Sequence, residues 1–62
     1  MSKRERDAVD NFLASLSGLT QHEAYENARL DARLYRWSAE ALEAVVTGIG
    51  LAKLPVSRSV TP

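Results

Sequence analysis

Residues 25–49, YENARLDARLYRWSAEALEAVVTGI, decide how this chain is read, because they carry two apolar stripes at helical spacing and only one glycine. At ~100° per residue, Tyr25, Ala28, Ala32, Tyr35, Ala39, Leu42, Val46 and Ile49 share one side with alternating steps of three and four, the spacing of a heptad seam. Leu30, Leu34, Trp37, Ala41 and then Ala44 or Val45 form a second row, ~145° around the same cylinder. No Gly or Pro interrupts residues 21–47, and the Ala, Leu, Arg and Glu that fill them favour helix strongly. The expectation is one long helix over 21–47, ending between Thr47 and Leu54, since the residue before Pro55 is biased out of helix.

Working outward, Thr20 with Glu23 forms a capping-box pattern at the start of that helix, with Leu19 placed as a staple on Ala24. Ser2 with Glu5 is a second such pattern, followed by Ala8, Val9, Phe12, Leu13 and Leu16 on one face. Gly18 supplies the left-handed residue that ends helices at little cost. Helix 1 is therefore expected over about 3–17, joined by a tight turn to helix 2 and folded antiparallel along its first half. The fold class is all-α: a helical hairpin domain over 1–54 with a flexible tail over 55–62. Helix 1 is too short to reach past Arg36, so residues 37–49 are left without cover and the hairpin is expected to form a dimeric bundle. The expected subunit interface is Tyr35, Ala39, Leu42, Val46 and Ile49. The layout resembles the dimeric helical hairpins of the Rop family, which build a four-helix bundle from two chains, and the likeness of layout carries over no residue and no RNA binding.

Composition narrows the function classes. The chain has 62 residues, no Cys, one His and eight charges of each sign. A domain this small hides only about 60% of its unfolded surface and is usually reinforced by disulfides, metal or a second subunit; association is the route open here. Balanced charge provides no field toward nucleic acid or membrane. The run after Met1 is too charged for a leader, and the longest uncharged run, residues 44–52, is too short to span a bilayer. A cytoplasmic location is expected, with no cofactor.

No catalytic residue is proposed: there is no Cys, no nucleophile elbow, no Gly-rich phosphate loop and no paired His. His22 beside Glu23 makes no metal site, which needs three or four converging ligands. Glu26, Arg29, Arg33, Arg36, Glu40 and Glu43 read as a solvated, salt-bridged face. Leu34 and Trp37 with Arg33 and Arg36 are the expected contacts to a protein target, because aromatic and arginine side chains anchor interfaces. The expected function is a homodimeric, non-enzymatic module that binds another protein as a regulator or inhibitor, by analogy of size with small phage- or plasmid-encoded regulators. The alternatives are a nucleic-acid-binding regulator using Arg29, Arg33 and Arg36, and a structural assembly subunit. The Leu19-Thr20-Gln21 opening has a repressor-like flavour, but an unbroken second helix argues against a helix-turn-helix.

Overall fold

A computed structural model describes residues 1–56 and shows three helices, α1 (Lys3–Ala14), α2 (Gln21–Leu34) and α3 (Ala39–Leu51), with no strand among the described residues. The all-α class holds. The single helix expected over 21–47 does not form: the chain turns at residues 35–38 and begins a new helix.

Local chemistry accounts for each boundary. Ser2 Oγ accepts the Glu5 N–H at 3.1 Å, starting α1. The helix ends at Ala14, three residues short of the expected limit, where the Ser15 hydroxyl turns back onto the Asn11 carbonyl at 3.0 Å. Gly18 does take the left-handed conformation, φ 85°, but in the loop beyond the helix end. Thr20 and Glu23 form the full reciprocal capping box at α2.

The break after α2 is a Schellman closure. Tyr35 N–H donates to the Asp31 carbonyl at 2.8 Å and Trp37 N–H to the Ala32 carbonyl at 3.0 Å, the six-to-one bond of that motif. Arg36 occupies the left-handed position, φ 53°, where glycine is usual. Ser38 then caps α3, its Oγ accepting the Ala41 N–H at 3.2 Å.

The turn lets α3 fold back onto the rest of the chain. α3 is the central element: it packs on both α1 and α2, which scarcely touch each other. Its start lies against the start of α1, through Glu5 and Ser38, and its end lies against the end of α1, where a Cβ on Gly48 would meet Leu13 Cδ2 at 2.5 Å. α1 and α3 therefore run parallel, and α2 returns between them in sequence. Glycine at 48 is what permits this close approach. The Pro55 carbonyl accepts the Gln21 N–H at 2.8 Å, tying the segment after α3 to the start of α2. Residues 57–62 of the expected tail lie outside those described.

The core is Val9 and Leu16 from α1 and its loop, Ala24 and Ala28 from α2, and Ala41, Val45 and Ile49 from α3, with Phe12, Leu13, Leu19, Trp37, Ala44 and Leu54 packed around it. Among the described residues Val45 and Ile49 are the largest fully buried side chains. Two expectations are corrected here. One face of residues 37–49, formed by Ala41, Val45 and Ile49, is covered within the chain by α1 and α2. Ile49, 1% exposed, is core rather than subunit interface. Three helices in one chain also depart from the two-helix layout of the Rop-like hairpin.

Candidate functional site: two apolar surfaces on either side of the bundle

Because α1 and α2 splay apart over α3, a cleft of about 590 Å³ opens between them. Asp7, Asn11 and Phe12 line it from α1, Asn27 and Asp31 from α2, with Tyr35 and Trp37 at one end. The Phe12 and Trp37 rings meet edge to face, centroids 5.8 Å apart and planes at 89°, a geometry that suits the aromatic quadrupole. Trp37 is half-buried, makes this internal contact and lines the cleft. Its Nε1–H is buried without an acceptor among the described residues, which costs about 1–3 kcal/mol.

Of the other expected target contacts, Leu34 is 70% exposed, and Arg33 and Arg36 are exposed with it. Leu30, one turn before Leu34, and Tyr35 are exposed as well. On α2 the core side is set by Ala24 and Ala28. Asn27 faces the cleft, and Leu30 and Leu34 lie one step further round at ~100° per residue, on its outer rim. Leu34, Arg33 and Arg36 are thus exposed at the end of α2, with the half-buried Trp37 next to Arg36 in the turn.

The second surface lies on the opposite side. Gly48 faces α1, so Leu42 and Val46, 37% and 42% exposed, occupy the flank of α3 turned away from α1. Tyr25, also exposed, lies on the flank of α2 opposite Asn27 and so also away from α1. Tyr25, Leu42 and Val46 share this back face by that geometry. Ala39 at the start of α3 is exposed, as is Tyr35 in the turn. Four of the five expected interface residues are thus on the surface, and Ile49 is not.

One electrostatic feature was not visible in the sequence. The Ser38 N–H donates to Glu5 Oε2 at 2.9 Å and the Ser38 hydroxyl to Glu5 Oε1 at 2.7 Å, across 33 residues. Glu5 plays for α3 the part that a third-position glutamate plays in an ordinary capping box; the corresponding local residue is Ala41, fully buried. The reciprocal Ser2–Glu5 box expected at α1 is consequently only half formed, its carboxylate being committed to Ser38. The backbone N–H and then the hydroxyl of Ser38 hold the Glu5 carboxyl below its ordinary value. The amino group of Met1 meets Glu40 Oε1 at 3.0 Å beside it. This cluster is a brace between two helix starts.

Among the described residues no group of three or more His, Cys, Asp or Glu is placed to hold a metal ion, and no helix is long and apolar enough to cross a membrane. No protein-family model, curated protein or solved structure matches this chain.

Proposed function

We propose that this chain is a non-catalytic interaction module that works as a homodimer and grips another protein along the rim of the α1–α2 cleft. One observation carries the reading. Among the described residues the largest fully buried side chains are Val45 and Ile49, while Leu30, Leu34, Tyr35, Leu42, Val46 and Leu51 lie on the surface. Burial of each such side chain is worth about 1.5–3 kcal/mol, so covering them would outweigh anything further the monomer's own core can contribute.

The two surfaces suit two partners. The back face carries the apolar side chains Tyr25, Leu42 and Val46, as a subunit contact requires. The cleft rim combines Leu30, Leu34 and Tyr35 with Arg33 and Arg36 on one side and with Asp7 and Asp31 inside, the mixed apolar and charged make-up of a surface that selects a foreign protein. The separate break before α3 does not favour a DNA-reading helix: the exposed positions of α3 include Glu40 and Glu43 and no Arg or Lys, and such charges repel phosphate. As a module that only binds, it acts by occupying its target, in the manner of a regulator or inhibitor.

The test is retention of a protein from extracts of the native cell on immobilised wild type, repeated with Leu34→Asp. A protein held by the wild type and lost with the variant supports the reading. Nucleic acid retained in its place, with steep loss at raised salt, would transfer the chain to the nucleic-acid class.

A further inference from the structure

The two glycines of α3 differ in a way that points outward. Gly48 is accounted for by Leu13, against which any Cβ would collide. A Cβ added at Gly50 would meet no atom of the described residues within 4 Å beyond its neighbours and its own helix backbone, yet a glycine there weakens the helix by about 1 kcal/mol relative to alanine. It lies one turn beyond Val46 and two beyond Leu42, on the same outer flank. Leu42, Val46 and Gly50 are evenly spaced by four residues, so the row is symmetric about Val46.

We infer that α3 packs antiparallel against α3 of a second copy of this chain, with Val46 on the two-fold axis and Leu42 of each copy seated over Gly50 of the other. The inference rests on the homodimer reading above and specifies its geometry. An isologous contact needs each residue to find its counterpart by the same rotation. Pairing centred on residue 46 places 42 opposite 50. A large side chain then faces a position with no side chain. Charge agrees with the direction: Glu43 lies toward the start of α3 and Lys53 just past its end, and neither pairs with a charge among the described residues. Antiparallel packing brings each acidic half beside the partner's lysine, whereas parallel packing would place like charges together.

Area calls for more than α3 alone. Specific interfaces bury about 1,200–2,000 Å² in total, more than one pair of thirteen-residue helices supplies. Tyr25 extends the patch onto α2, so that α2 and α3 of each copy form a four-helix layer. α1 then remains outside it, and the cleft rim stays open to a target.

The chain has no cysteine, so single-thiol variants report contact directly. Val46→Cys should form a covalent dimer under mild oxidation, because thiols on a two-fold axis can reach the short separation a disulfide needs, while Leu34→Cys should not. Gly50→Leu should keep the helical signal and melting of the monomer, its site being open, but raise the dimer Kd at least about tenfold by blocking Leu42. A dimer by sedimentation that links through Leu34→Cys and not Val46→Cys, or that tolerates Gly50→Leu, overturns the antiparallel pairing and leaves the homodimer reading standing. Equal linking at both positions reports random collision and also overturns the pairing. A monomer throughout removes both.

Discussion

The inner and outer faces of α3 are made of the same kinds of residue and meet different fates. Inside, Ala41, Val45 and Ile49 are enclosed by α1 and α2, and Gly48 lets Leu13 close in. Outside, Leu42 and Val46 keep more than a third of their surface in water, and Gly50 faces open space. α3 is apolar on its inner side and again on the flank of Leu42 and Val46, with Glu40 and Glu43 exposed on the remainder, and the chain covers only the first of these two apolar sides. The comparison teaches that folding alone satisfies one face of α3, and that the other face is the reason to propose association.

Breaking the inner face should have the largest effect. Ile49→Ala leaves a cavity in a core where, among the described residues, Val45 and Ile49 are the largest fully buried side chains, and should cost about 2–5 kcal/mol. That is comparable with the whole stability expected of 62 residues, about 3–9 kcal/mol. Loss of the cooperative melt by circular dichroism is the expected result. Breaking the outer face should separate association from folding. Leu42→Asp should dissociate the dimer because a carboxylate in an apolar contact is strongly disfavoured, while the exposed site allows the monomer to retain its helices. Gel filtration and circular dichroism on the same sample check both halves.

The join between the faces is a smaller target. Ser38→Ala removes the α3 cap and should cost about 0.5–2 kcal/mol, read as a shift in the denaturant midpoint. Glu5 acts through the same serine, and its carboxyl is held below the ordinary value of 4.5. A carboxyl with a lowered folded value contributes stability above its unfolded value and loses it as pH falls through the folded one. The stability advantage of the wild type over Glu5→Gln should therefore be full at neutral pH and shrink from about pH 4.5 downward. Equal pH dependence in both proteins would contradict the brace. The smallest effect is a gain: Arg36→Gly relieves the left-handed strain at φ 53°, and should stabilise by up to about 1 kcal/mol once the greater freedom of unfolded glycine is subtracted.

Much of this was legible in the sequence, and the part that was not has a physical cause. The caps at Ser2 and Thr20 were readable because their partners lie three residues away. Ser38 was not recognised as a cap, since its second partner is Glu5, 33 residues distant, and the turn before it is built from Tyr35, Arg36 and Trp37 rather than Gly or Pro. Ser38 followed by Ala39 and Glu40 did hold the weak signal of a helix start. The two stripes were the stronger clue. The core follows Ala24 and Ala28 in α2, then passes at the break to Ala41 and Val45 of the second stripe. Two stripes on one supposed helix were two helices rotated against each other. For the site, the surface placement of Leu34, Arg33 and Arg36 was legible from pattern, whereas the cleft, the Phe12–Trp37 contact and the enclosure of Ile49 depend on how α3 folds back.

Sedimentation equilibrium of the unmodified chain at micromolar concentration tests the central claim most directly. The account predicts a reversible species of twice the 6.8 kDa chain mass, populated in proportion to concentration. A fully helical, cooperatively melting species that stays at 6.8 kDa across that range would show that the outer face of α3 needs no second copy.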